Sequence, residues 1–336
     1  MNRIDPNLVP KRILASGEAI PCVGMGTFGS DRFTADQISN AVLGAARLGY
    51  RLFDCAACYE NEEQIGKVFK QAMSEGIKRE ELFITSKLWN NMHKPADAEA
   101  ALKKTLHDLQ LDYLDLYMVH WPFRNYHEPG CAGDARNPNS HAYIHEEYME
   151  TWAMMEKFQK EGLTRYIGTS NMSKAKMELL LRDCTIRPAF NEMEIHPCFQ
   201  QQELYDYCLS QGIQPIAFCP IGSPTRPDRD KAEGDVADIQ HPIVVEIAKA
   251  HNVHPAVICV KWATQRGQIP IPFSIHEREY ESNLRCTFED PLTPEEMAKL
   301  EKADMNCRLI KGQVFLWDDV EDYRILWDED GVIRAK

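Results

Sequence analysis

Eight short apolar runs, each followed by a segment of helical periodicity, limit most strongly what this chain can fold into. The runs are Cys22–Thr27, Leu52–Ala56, Leu82–Leu88, Leu114–His120, Arg165–Ser170, Pro188–Ile195, Gln214–Cys219 and Ile269–Ser274. Helix-period segments near 34–48, 61–74, 96–109, 146–161, 173–182, 200–211 and 241–265 separate or flank them, and a last one spans 294–303. Strands that alternate with helices run parallel, because each helix carries the chain back to the same end of the sheet. With no internal linker, the pattern predicts an α/β fold, a (β/α)8 TIM barrel that forms one domain over 1–336. Thr34 with Gln37, and Thr293 with Pro294 and Glu296, mark two helix starts by the capping-box pattern.

A β-hairpin is expected ahead of the barrel, where Arg12-Ile13-Leu14 and Glu18-Ala19-Ile20 flank Ala15-Ser16-Gly17. The 336 residues exceed the ~250 typical of such barrels. The excess falls in Arg124–His145, Ser223–Gln240 and Cys307–Lys336, which read as long loops and a C-terminal tail that shape a site. A net charge of −13 repels phosphate backbones and anionic lipid, so neither nucleic acid nor membrane is an expected partner. The start, "MNRIDPNLVPKRIL", has no apolar signal core, and no run approaches the ~20 apolar residues of a membrane span. Eleven scattered cysteines read as reduced thiols, which suggests a cytoplasmic protein. A monomer or a small homo-oligomer is expected.

Gly24-Met25-Gly26-Thr27-Phe28-Gly29 fits the G-x-G-x-x-G dinucleotide fingerprint. That turn must open a helix directly, yet Ser30-Asp31-Arg32-Phe33 intervenes. A glycine-rich barrel loop that lets a ligand approach the backbone is the preferred reading, with a Rossmann-type dehydrogenase as the minority fold.

Polar groups gather at the ends of successive strands. Asp54 and Tyr59 lie at and just past the end of the second run, Lys87 near the end of the third, and His120 closes the fourth. In a parallel barrel all strand C-termini share one rim, where these groups would converge. A tyrosine, with a pKa of about 10, is a poor proton donor at neutral pH unless a nearby ammonium favours its phenolate. Lys87 can supply that charge and Asp54 can hold Lys87. A neutral His120 can orient a carbonyl oxygen, which Tyr59 protonates as hydride reaches the carbon. No side chain donates hydride, so a nicotinamide cofactor is implied.

The motifs "GMGTF", "LFDCAACYENEEQIG", "ITSKLW", "LDLYMVHWP", "GLTRYIGTSN", "NEMEIHP", "AFCPIGS" and "IPIPFS" together resemble the aldo-keto reductases, from the hairpin to about residue 325. The resemblance implies a (β/α)8 barrel and NAD(P)H-dependent reduction of a small-molecule carbonyl, with Asp54, Tyr59, Lys87 and His120 as the catalytic tetrad. It also implies that Ser170 and Asn171 hold the nicotinamide carboxamide and that Ser274 and Asn283 contact the adenosine end. Gly26, Thr27, Asp54, Glu192, Phe218, Pro220, Ile221 and Arg278 complete the implied cofactor contacts, and no metal is implied. Cys55-x-x-Cys58 then reads as filler beside the site, with Cys58 open to oxidation.

The chain departs from the family's pattern in four places. Glu192 replaces a usual glutamine, and Phe218 a usual tyrosine. Phe273 and Glu279 stand where NADP-using members place a lysine and an arginine. An anion beside a 2′-phosphate disfavours NADP(H), whereas Arg278 or His276 could substitute for the lost cations, so NADP(H) and NAD(H) both stay open. Phe28, Trp89, Trp121 and Phe123 are the expected aromatic walls beside His120. Arg124, Asn125, His127, Arg136 and His141 suggest a polar, sugar-like carbonyl, anionic if Arg124 binds it. His141 and His145, four apart, lack a third ligand and are expected to face solvent. The rival function is a cofactor-binding regulatory subunit on the same fold.

Overall fold

The structure, a computed structural model, describes residues 3–128, 131, 135–226, 228–318 and 320–334. Parts of the three long segments, residues 129–130, 132–134, 227, 319 and 335–336, lie outside the described residues. The expected hairpin is present as antiparallel β1 (Lys11–Ile13) and β2 (Ala19–Pro21). Eight parallel strands follow: β3 (Met25–Gly26), β4 (Leu52–Asp54), β5 (Phe83–Leu88), β6 (Leu114–Val119), β7 (Thr164–Ser170), β8 (Phe190–Glu194), β9 (Gln214–Phe218) and β10 (Ile269–Pro270). Each pairs with the next in chain order. The sheet closes on itself: Gly24 N–H donates to Pro270 O at 3.0 Å and Gly26 N–H to Pro272 O at 3.2 Å. One closed parallel sheet is the (β/α)8 barrel, and it excludes the Rossmann alternative.

Closure also explains the glycines. A Cβ on Gly24 would sit 2.2 Å from Leu52 Cδ2, one on Gly26 2.8 Å from Ile271 O, and one on Gly29 2.4 Å from the Phe273 ring. The run gives room to the chain's own strands and rings, while Gly26, Thr27 and Phe28 of the same run line the cleft at the rim.

Helices α1 (Ala35–Leu48), α2 (Glu62–Ser74), α3 (Pro95–Leu109), α4 (His145–Lys160), α5 (Lys174–Asp183) and α6 (Gln202–Ser210) return the chain between strands β3 to β9. The single helix expected over 241–265 is two, α7 (Pro242–Ala250) and α8 (Pro255–Arg266), set at 95°. Pro255 lacks the N–H that a continuous helix needs and starts α8 instead. Helix α9 (Glu277–Arg285) has no counterpart in the sequence reading, because Tyr280, Asn283 and Leu284 alone are buried on it. Helix α10 (Pro294–Glu301) starts at the expected Thr293 cap, as α1 starts at Thr34. Among the described residues no single helix is long and apolar enough to cross a membrane.

Strand parity sorts the interior into layers. Leu52, Phe83, Leu116, Met118, Phe190, Ile216, Ile269 and Ile271 fill the barrel, with Leu14 and Ile20 of the hairpin segment packed against them. The alternate residues, such as Phe53, Ile84, Tyr117, Ile167 and Ala217, pack outward among the helices. Two residues above an inward apolar side chain comes the next inward one. Leu52 is thus succeeded by Asp54, Met118 by His120 and Phe190 by Glu192, while Phe83 leads through Thr85 to Lys87. The polar site is the top layer of the barrel filling.

Candidate active site

Asp54, Tyr59, Lys87 and His120 converge on one cleft of about 1130 Å³ at the C-terminal rim, as the spacing predicts; Asp54, Tyr59 and His120 line it, and Lys87 sits behind them. Lys87 Nζ donates to Asp54 Oδ2 at 2.6 Å, to Cys55 O at 3.2 Å and to Tyr59 Oη at 3.5 Å. Thr85, one inward layer below Lys87, donates from Oγ1 to Asp54 Oδ1 at 2.6 Å. Thr27 Oγ1 donates to Asp54 O at 2.8 Å, and Asn61 Nδ2 holds Thr27 O at 2.9 Å. Lys87, Asp54, Cys55, Thr85, Thr27 and Asn61 are buried, whereas Tyr59 is part-buried and packs against Phe28 at 5.2 Å between ring centroids.

A second carboxyl faces the same ammonium. Glu192 Oε1 lies 3.3 Å from Lys87 Nζ, with both side chains buried. Burial, reinforced by the Asp54 charge and opposed by Lys87, pushes the Glu192 carboxyl well above the usual carboxylate range. The protonated form of Glu192 is favoured accordingly. Burial disfavours the Lys87 ammonium, but Asp54 and Glu192 outweigh it and Lys87 titrates well above an ordinary lysine. Tyr59 corrects an expectation: its pKa is raised, because burial exceeds the lowering by Lys87 and the two carboxyls add to it. In the free protein the phenol is therefore protonated and a weaker acid than an ordinary tyrosine, with Lys87 the group that acts in the expected direction.

His120 is driven well below the ordinary histidine value, first by burial and then by Lys87, His127 and His93. The imidazole is neutral, as expected. Its Nδ1 lies 3.5 Å from Cys58 Sγ. Burial pushes the Cys58 thiol up, so it stays S–H and can donate to Nδ1, leaving Nε2–H as the donor. Cys55 and Cys58 are both free, and burial raises the Cys55 thiol too. Both thiols are thereby held as S–H, which lowers their reactivity, although half-buried Cys58 lines the cleft.

Ser170 and Asn171 lie at the end of β7, where Asn171 takes a left-handed φ of 56°. Asn171 Nδ2 donates to His120 O at 2.9 Å and to Ser170 Oγ at 3.2 Å. Buried Asn171 Oδ1 and Glu192 Oε2 have no hydrogen-bond partner, and both residues line the cleft. Unpartnered polar atoms of this kind suit a ligand's amide group, so the residues fit a nicotinamide. Gly26, Thr27, Phe218, Pro220 and Ile221 also line the cleft.

Ser274, Arg278 and Asn283 do not line it; Ser274 precedes α9, and Arg278 and Asn283 lie on that helix. Ser274 Oγ donates to Glu279 Oε2 at 2.6 Å and accepts from His276 N–H at 2.9 Å. Arg278 is exposed beside them.

Phe28, Trp89 and Trp121 line the cleft as expected, but Phe123 and Arg124 do not. Phe123 packs behind Trp121 at 5.7 Å. Arg124 pairs with Glu147 at 3.2 Å and Glu150 at 2.9 Å, beside a separate small cavity, so it is not placed to bind an anionic substrate. His127 lines the cleft, together with its loop neighbours Tyr126 and Glu128. Asn125 Nδ2 donates to His141 O and Phe315 O, each at 2.8 Å, and Arg136 donates to Val320 O at 2.6 Å. His145 pairs with Asp183 at 2.7 Å and His141 with Glu147 at 3.5 Å; both are half-buried rather than solvent-facing.

The sequence reading named no tail residue at the site. Ile310, Gly312, Val314 and Phe315 line the cleft, and Phe315 packs on Trp121 at 4.6 Å. The aperiodic apolar run Val314-Phe315-Leu316-Trp317 is the signal that could have found them.

Residues 22–305 match the aldo/keto reductase family. This chain belongs to that family. It is 39% identical to Aldo-keto reductase family 1 member A1 of Xenopus tropicalis over 300 residues, 88% of this chain and 89% of that protein. An aldo/keto reductase of Synechocystis is 39% identical over 321 residues, 94% and 95% of the two chains. The crystal structure of the Bombyx mori aldo-keto reductase in complex with NADP superposes with a TM-score of 0.79 at 32% identity, covering 94% of this chain and 98% of that one. The aldo-keto reductases are oxidoreductases, and this member presents its polar cluster at the barrel rim.

Proposed function

We propose that this aldo-keto reductase reduces an aldehyde or ketone to an alcohol with NAD(P)H. The observation that carries the reading is the contact of Lys87 with both Asp54 and Tyr59 inside a cleft also lined by His120. Bound reduced nicotinamide would supply the hydride to the carbonyl carbon. Neutral His120 orients the carbonyl oxygen through an N–H, and Tyr59 gives its proton to that oxygen. Lys87 stabilises the phenolate that Tyr59 becomes, and Asp54 keeps the ammonium in place. Ser170, Asn171 and Glu192 would hold the carboxamide, while Phe28, Trp89, Trp121 and Phe315 enclose the substrate. A sugar-like aldehyde presents a C–H face to such rings, with His127 at its polar edge. The intact cluster argues for turnover and against a purely regulatory role.

Tyr59→Phe tests the reading, since it removes the proton donor and leaves the ring in place. Steady-state reduction of a panel of aldehydes should fall by about 10²-fold or more. The dissociation constant for reduced cofactor, from fluorescence titration, should change less than about two-fold. Loss of cofactor binding with turnover preserved would assign Tyr59 another role.

A further inference from the structure

Lys87 lies between two carboxyls, and a proton donor of this type needs one. Asp54 already fills that place, with its other oxygen taken by Thr85. Glu192 therefore adds an ionisable group that the proton transfer does not require. It stands on β8, beside Ser170 of β7 in the sheet register, and its Oε2 is buried without a partner. The charged and titratable groups facing it are Asp54 from β4, Lys87 from β5 and Tyr59 from the turn after β4.

Resting on the reading of this cleft as the nicotinamide site, we propose that Glu192 makes the protein discriminate by redox state, favouring the cationic oxidised nicotinamide over the neutral reduced one. The two forms of the ring differ by one positive charge. An amide at position 192 would meet both with the same dipoles, whereas a carboxyl can ionise beside the cation and stay protonated beside the neutral ring. In the free protein burial and Asp54 hold the proton on Glu192. A cationic ring entering the same cleft reverses that balance. The carboxyl O–H bond breaks, the proton leaves to solvent, and the carboxylate remains between Lys87 and the ring. Uptake of oxidised cofactor is thereby linked to proton release and strengthens as pH rises. Uptake of reduced cofactor is not linked in this way through Glu192.

Calorimetric titration of the intact protein with oxidised and reduced cofactor, in two buffers of different ionisation enthalpy, tests this in wild type and Glu192→Gln. Glutamine keeps the size of the side chain and cannot ionise. The wild type should release more protons with the oxidised form than Glu192→Gln does. The variant should weaken oxidised cofactor by about ten-fold relative to reduced cofactor at pH 8–9, with a smaller difference at pH 6. Equal proton release and an equal affinity ratio in the two proteins would overturn the proposal alone. A uniform loss of affinity for both forms, independent of pH, would overturn it in favour of a structural role. Failure of the wild type to bind either form would overturn the cofactor reading itself, and this proposal with it.

Discussion

Glu279 shows how one side chain bears on the choice of cofactor. Its carboxylate accepts from Ser274 Oγ at 2.6 Å, and Glu277 adds a second acid to the first turn of α9. Two anions there oppose a dianionic 2′-phosphate, and exposed Arg278 is the nearest compensation in the chain. NADH should therefore bind at least as tightly as NADPH, and Glu279→Ala should shift the ratio towards NADPH by about ten-fold. Side-by-side fluorescence titrations read both numbers; an unchanged ratio in the variant would separate Glu279 from the choice. At this scale the positions of Asp54, Lys87 and His120 were legible because strand parity fixes where each points, whereas Tyr59 lies in the turn after β4 and was legible only by its nearness to Asp54 in sequence. Phe123 and Arg124 were misplaced because they follow His120 in a loop, where no period says which way a side chain turns. Glu192 was visible as a departure, but its protonation was not, since that depends on burial and on the Asp54 charge, which only the folded sheet brings to it.

Among the elements, the α2–α3 contact explains the last letter of "DCAACYENEEQIG". Gly66 lies on α2, and a Cβ there would sit 2.1 Å from Asp108 O and 2.7 Å from Leu109 C on α3. Backbone atoms cannot turn aside as a flexible side chain can. Gly66→Ala should lower stability by about 1–3 kcal/mol despite the better helix propensity of alanine, read as an earlier urea midpoint. A midpoint at or above that of the wild type would show that the helices separate freely. Capping signals placed the starts of α1 and α10, because Thr34 and Thr293 bond locally to their own first turns. Helix α9 escaped notice since its burial comes from packing on α1 and α8, not from a long apolar stripe. The split of α7 from α8 was signalled by Pro255, which the helical period around it obscured.

On the scale of the whole molecule, the barrel is closed by glycines and its rim is roofed by the tail. Buried Glu194 accepts from Leu309 N–H at 2.6 Å and Ile310 N–H at 2.9 Å, and buried Lys176 pairs with Asp328 at 2.5 Å. These anchors bring Phe315, Leu326 and Trp327 against Trp121 and Phe123. The barrel was legible from eight repeats of one local pattern. The roof was not, because it depends on contacts between residues more than a hundred positions apart. The central claim is that the cleft transfers hydride from a nicotinamide to a carbonyl carbon while Tyr59 supplies the proton. The most direct test is mass spectrometry of the alcohol formed from a test aldehyde and reduced cofactor deuterated at the transferring position of its nicotinamide ring, in ordinary water. The account predicts one deuterium on the former carbonyl carbon with the wild type. Alcohol formed without deuterium at that carbon, or no alcohol with either NADH or NADPH across a broad aldehyde panel, would contradict it.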